Sequence, residues 1–217
     1  RINQLNADEG RIVSETGVVI AMDPRTGEIL SLVSYPSYDN SRFARNIDVD
    51  YYLDVAANPL LPLVNHATQS LYPPGSIWKI LTAIGVLQED VIDPYSLLFD
   101  PGDLILPNRY APNDSTLGQR FVCWLDEGHG NLDMRDALAQ SCDVYFYQVG
   151  GGNPEVSSQV LRPNGLGITD LFRYATAFGI GSSQGIELPF ENRGFMPQPD
   201  WKRRTQGENW STGDTYI

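Results

Sequence analysis

Cysteine is nearly missing from this chain. Cys123 and Cys142 are the only two in 217 residues, so no disulfide scaffold carries the fold. Basic residues are scarce too. Fifteen Lys and Arg stand against 27 Asp and Glu, a net charge of −12, which disfavours nucleic acid and anionic membrane surfaces as partners and favours solubility. No apolar run reaches the roughly 18 residues of a membrane helix, and no signal-peptide pattern is found. Internal repeats and low-complexity tracts are also lacking. What is present is an ordinary globular mixture, 41% hydrophobic and 19% charged, sufficient for one sizeable domain or a domain with an appendage. Gly (20) and Pro (15) are plentiful and predict many loops.

The pattern along the chain predicts a β-hairpin first. Val18–Ala21 and Ile29–Val33 read as strands, and Asp23-Pro24-Arg25-Thr26-Gly27 supplies the turn. Residues 1–16 are polar and read as a linker or the edge of a preceding domain; the opening RINQLNADEG resembles the middle of a longer protein. Residues 36–75 and 93–131 read as irregular. Between them a helix is expected from Ser76 to near Glu89, with a buried face of Ile77, Ile80, Leu81, Ile84 and Leu87. A short helix is expected from Leu132 with Asp133 as N-cap, and another from Ile168 capped by Thr169. Gly150–Gly152 read as a helix stop, Gly185–Phe190 as a strand, and the tail from Pro197 as without an element.

The helix at Ser76 opens oddly. Ser76 and Lys79 lie three apart in its first turn, so Oγ and Nζ share a face. A serine hydroxyl is a weak nucleophile until a base takes its proton, and a lysine amine freed of its own proton can be that base. A helix N-terminus favours the developing oxyanion. Serine is also an ordinary N-cap and lysine an ordinary surface residue. A second group, Ser141 and Asp143 flanking Cys142, pairs a hydroxyl with a carboxylate in a break between helices, where either also serves as a cap. A third is Asp100, Cys123, His129 and Cys142. Two thiolates and an imidazole suit tetrahedral zinc; the cysteines read equally as a disulfide or as buried thiols. His66 reads as a packing or hydrogen-bonding residue, and Trp78 and Trp124 as core or cleft walls.

YPPGSIWK, followed by SCDVYFYQ, resembles the penicillin-binding proteins, and within them the elongation-specific class B transpeptidases of the penicillin-binding protein 2 type. GVVIAMDPRTGEILSLVSYPSYD, PLVNHATQSLYPPGS, GHGNLDMRDALAQS and WSTGDTY extend the likeness over most of residues 17–217. The resemblance implies an α/β transpeptidase fold, with an antiparallel sheet, helices and a helical subdomain. Residues 17–217 would be the N-terminal part of that domain, incomplete at the C-terminus, with 76–190 mostly helical and the Ser76 helix buried between sheet and helices.

It also implies roles. Ser76 would be acylated by the penultimate D-Ala carbonyl of a peptidoglycan stem peptide, Lys79 would be its base, and Ser141 would relay protons. Asp143 stands where most of the superfamily has Asn. An anion there favours a charged lysine, so Asp143 is expected to pair with a cation rather than act on the amine directly. Some relatives hold structural zinc through two Asp, a His and a Cys; the matching positions here are Asp100, Cys123, His129 and Cys142, with Cys123 in place of the second Asp. The third motif, Lys-Thr-Gly, is missing, and Ser211-Thr212-Gly213 lacks its cation. The stretch alone is therefore expected to be weakly active or inactive.

The implied partners are β-lactams as inhibitors, an elongation glycosyltransferase and the rod-shape scaffold, at the extracytoplasmic side of the membrane behind an N-terminal anchor. Alternatives on the same Ser-Lys core are a serine β-lactamase or D,D-carboxypeptidase, and a non-catalytic β-lactam sensor or scaffold.

Overall fold

The computed structural model describes residues 7–8, 10, 14–108, 110–111 and 113–216. Most of the linker expected at 1–16 lies outside them. The chain forms two compact units, residues 1–72 with 183–193 and residues 73–182 with 194–217.

The first unit holds the predicted hairpin. β1 (Gly17–Met22) pairs antiparallel with β2 (Ile29–Tyr35), and Gly27 closes the turn by donating its N–H to the Asp23 carbonyl. The stretch expected to be irregular contains two helices. α1 (Val49–Ala57) starts at Asp48, whose carboxylate accepts the Tyr51 N–H. α2 (His66–Gln69) is capped by Asn65. These are side-chain caps of the usual kind, hidden in the sequence by short helices and polar flanks. His66 is buried, with Nδ1 bonded to Ser70 Oγ and Nε2 to the Leu60 carbonyl.

The second unit is built on α3 (Trp78–Gln88), reached through a 3-10 turn at Gly75–Ile77. Ser76 therefore precedes the α-helix proper rather than opening it. The buried face also differs from the expected one. Trp78, Leu81, Thr82, Gly85 and Val86 are buried, whereas Ile77 is 71% exposed and Ile80, Ile84 and Leu87 are exposed too. Both stripes have three-four spacing, so periodicity alone does not choose between them. Gly85 does: a Cβ there would stand 2.7 Å from Leu166 Cδ2 and 3.0 Å from Tyr174 Cδ2, at the crossing with α6 (Gly167–Ala177). Within its own unit α3 is packed through this face. α6 begins at Leu166 without a side-chain cap, so Thr169 is not one. Its first turn is held instead by Arg162, which donates to the Gly165 and Leu166 carbonyls.

The long segment before α4 (Met134–Ala139) is not irregular. It forms two antiparallel ribbons, β3 (Leu98–Asp100) with β6 (Gly130–Leu132) and β4 (Asp103–Leu106) with β5 (Gln119–Val122). Between 76 and 190 both ribbons stand between helices, so the region expected to be mostly helical is mixed. Asp133 caps α4 as expected, accepting the Asp136 N–H. α5 (Asp143–Gly151) is buried almost all round, and its Gln148 is satisfied by the Phe99 carbonyl and Asn153. Gly185–Phe190 is not a strand. The tail expected to lack an element does have structure: α7 (Pro199–Gln206) starts with Pro in its first turn and ends at left-handed Gly207, a Pro-to-Gly pairing legible in the sequence. A 3-10 turn at Thr212–Thr215 follows, closed by a Ser211–Asp214 capping box.

Candidate active site and metal centre

Ser76, Lys79, Ser141 and Asp143 come together. Lys79 is one of only two lysines in the chain, and it is 5% exposed. A buried ammonium needs partners, and four surround it. Nζ donates to the Ser141 carbonyl at 2.6 Å and to Asp143 Oδ1 at 2.6 Å, and lies 3.1 Å from Ser141 Oγ and 3.4 Å from Ser76 Oγ. Ser141 Oγ in turn donates to Ser76 Oγ at 2.8 Å. The two hydroxyls and the amine form a closed triangle. The pairing with a cation expected of Asp143 is present, and its partner is Lys79 itself, which Asp143 contacts directly.

The turn between α4 and α5 sets this geometry. Ser141 has φ of 55°, left-handed for a non-glycine residue, and that twist aims its hydroxyl and carbonyl at Nζ. Strain of this kind persists only where neighbours enforce it. Here the Cys142 N–H donates to the Ala137 carbonyl, and Cys142 Sγ accepts the Tyr145 N–H as the N-cap of α5. The cap is therefore Cys142, not Ser141 or Asp143. Gly75 enters the Ser76 turn with φ of 59°, which explains the glycine there.

Cys142 also points the other way, into a buried cluster. Asp100, Cys123, His129 and Cys142 bring one ligand atom each to within 4.8 Å of one another. Asp100 Oδ2 accepts from Cys142 Sγ at 3.1 Å and lies 2.7 Å from His129 Nδ1; Cys123 Sγ lies 3.5 Å from the same nitrogen. Both thiols are free and buried, which removes the disulfide reading. Burial pushes the Asp100 pKa up, but hydrogen bonds from His129, Cys142 and the Gly102 N–H outweigh it and hold the carboxyl below its usual range. Burial pushes the Cys142 thiol up. His129 Nε2 is buried with no hydrogen-bond partner among the described residues. Metal–ligand distances of about 2.0–2.3 Å imply donor separations of roughly 3.3–3.8 Å in a tetrahedron. The four donors are gathered around that size, from 2.7 Å between Asp100 and His129 to at most 4.8 Å, and two thiols, an imidazole and a carboxylate are a zinc donor set. Two glycines let the loops approach: a Cβ on Gly102 would lie 2.1 Å from the Asp126 carbonyl, and one on Gly128 would lie 2.4 Å from that of Asp100.

One participant was not foreseen in its role. Trp124, next to Cys123, donates its backbone N–H to Asp143 Oδ2 at 3.1 Å and its indole N–H to the Gln140 carbonyl at 3.0 Å. Trp78, by contrast, is a core residue as expected. Ser211, Thr212 and Gly213 form a turn tied to Asp214 and are not part of the Ser76 cluster.

Residues 17–216 match the family described as "Penicillin binding protein transpeptidase domain". The chain is 36% identical over 205 residues to "Peptidoglycan D,D-transpeptidase MrdA" of Acinetobacter baumannii, covering 94% of this chain and 27% of that protein's length. Among solved structures it is similar to Pseudomonas aeruginosa PBP2 in complex with WCK 5153, with a TM-score of 0.77 and 31% identity over 99% of this chain and 44% of that one. It is also similar to the complex between PBP2 and MreC from Helicobacter pylori, with a TM-score of 0.77 and 28% identity over 99% of this chain and 35% of that one.

Proposed function

The chain belongs to the penicillin-binding protein transpeptidase domain family, and from that premise we propose that it carries the acylation centre of a peptidoglycan D,D-transpeptidase acting in cell-wall elongation. One observation carries the reading. Ser76 Oγ, Ser141 Oγ and Lys79 Nζ lie within 3.4 Å of one another, on a lysine shut away from water.

In the reaction, Ser76 Oγ attacks the penultimate D-Ala carbonyl of a stem peptide. The terminal D-Ala leaves as the amine, taking a proton, and an ester to Ser76 remains. The amine of a second stem peptide then attacks the ester, forms the cross-link and returns the proton to Ser76. Lys79 is held by hydrogen bonds to Asp143 and the Ser141 carbonyl, and a lysine serves as base only as the free amine. Ser141 offers a relay of two shorter hydrogen bonds, 2.8 Å and 3.1 Å, against a single one of 3.4 Å direct. A β-lactam would acylate the same oxygen by ring opening, with no group expelled.

Asp100, Cys123, His129 and Cys142 are proposed to hold a structural zinc ion. All four positions would be filled by protein, which leaves no open site for substrate. Its contribution would be to fix the Ser141–Asp143 turn, and bound-metal content by mass spectrometry tests it. An extracytoplasmic location behind a membrane anchor belongs to the same proposal. So do an elongation glycosyltransferase and a rod-shape scaffold as partners. The Helicobacter pylori relative, solved with MreC, supports the latter.

Labelling with a fluorescent penicillin tests the function. The 217-residue chain should be labelled weakly or not at all, since it holds no Lys-Thr-Gly. The form carried to its gene's stop codon should be labelled on Ser76, with label lost in Ser76→Ala. A label that hydrolyses rapidly would indicate a β-lactamase. No label on the folded longer form would move a sensor or scaffold to the front.

A further inference from the structure

Trp124 is 63% exposed, yet it is tied down by several contacts. Its ring meets His129 edge-on at 5.3 Å between centroids, and both of its N–H groups are spent on one short stretch. The indole reaches the Gln140 carbonyl at the end of α4, and the backbone N–H reaches Asp143 at the start of α5. These two acceptors bracket the strained Ser141. Asp143 divides its oxygens between Lys79 (Oδ1) and Trp124 (Oδ2). Rotation of that carboxylate would release Nζ, and the Trp124 N–H opposes the rotation.

We propose that Trp124 is a positioning residue for the acylation step, spanning the Gln140–Asp143 turn from outside and fixing the carboxylate that holds Lys79. The role rests on the transpeptidase reading. The indole bond is the part that mutation can remove. Trp124→Phe keeps a ring beside His129 and keeps the backbone N–H, but loses the donor to Gln140. A residue of purely structural value would lower the melting temperature and leave the kinetics of the folded fraction alone. A positioning residue changes the acylation rate constant and not the affinity of the complex that precedes it, because slight misplacement of reacting groups is costly in rate.

The test is saturation acylation kinetics with a fluorescent penicillin on the form carried to its gene's stop codon. Trp124→Phe should slow acylation about tenfold, with the pre-acylation dissociation constant unchanged. Tyrosine at this position, equally without the indole donor, should behave the same way. An acylation rate constant within twofold of the parent's overturns the proposal, whatever the melting temperature does. Hydrogen exchange followed by NMR supplies a readout independent of activity. The Trp124 indole proton should be protected in the parent, and amides from Leu138 to Asp143 should exchange faster in Trp124→Phe. If the parent is not acylated at Ser76, the transpeptidase reading fails on its own account. Exchange then decides the clamp: an unprotected indole or unchanged turn amides reject it.

Discussion

At the scale of the residue, Ser141 carries the sharpest conflict between stability and function. Its φ of 55° is costly for a side chain with a Cβ and free for glycine. The same twist places its hydroxyl between Ser76 and Lys79. The two effects can be separated. Ser141→Ala should keep the strain and lose the relay, lowering acylation by about ten- to a hundredfold with little change in melting. Ser141→Gly should lose the relay equally, yet gain up to about 1 kcal/mol of stability. Thermal melts beside penicillin labelling of both variants check this; a Gly variant that labels normally would mean the proton does not pass through Ser141. Most of this site was legible in the sequence. A serine and lysine three apart must share a face, and Asp100, Cys123, His129 and Cys142 are residue types that bind metal. What was not legible is direction. No spacing tells that Asp143 turns one oxygen to Lys79 and the other to Trp124, because that depends on two segments about twenty residues apart meeting through a backbone N–H.

At the scale of the element, local signals performed well where they were chemical and poorly where they were only periodic. Asp133 as a cap and the Asp23–Gly27 turn were both readable, since each follows from hydrogen bonds a side chain or backbone makes nearby. The ribbons β3–β6 and β4–β5 were not, because strands of three and four residues are too short to carry a detectable alternation. α3 shows the deeper limit. Two stripes compete for burial, and the larger aliphatic residues lose. The decision lies with Gly85, whose missing side chain admits Leu166 and Tyr174. Gly85→Ala should therefore destabilise the protein by about 1–3 kcal/mol, although alanine is the better helix former. A stabilising Gly85→Ala, read by chemical denaturation, would show that the helix is not packed through this face.

At the scale of the whole molecule, what needs explaining is how distant segments are brought to one place. The four donors come from the end of β3, the residue after β5, the loop before β6 and the cap of α5. Those segments also hold the turn on which Ser141 and Asp143 sit, and they belong to one of the two compact units. Two small ribbons and a net charge of −12 are weak means of holding such a turn in a strained conformation. The proposed zinc ion would be a strong one, since a bound metal ties loops together and its binding energy counts toward folding. Removing it should act regionally. Exhaustive chelation should lower the melting temperature by at least about 5 °C, given that each kcal/mol shifts a domain of this size by about 2–4 °C. Hydrogen exchange should rise across residues 98–146 and stay unchanged in the β1–β2 hairpin, which belongs to the other unit. Penicillin labelling of the longer form should fall with it and return when zinc is restored. Cys142→Ser should lose metal and labelling together. Uniform loosening of both units, or full labelling by protein verified free of metal, would mean that the cluster is a buried hydrogen-bonded knot sufficient by itself to hold the turn.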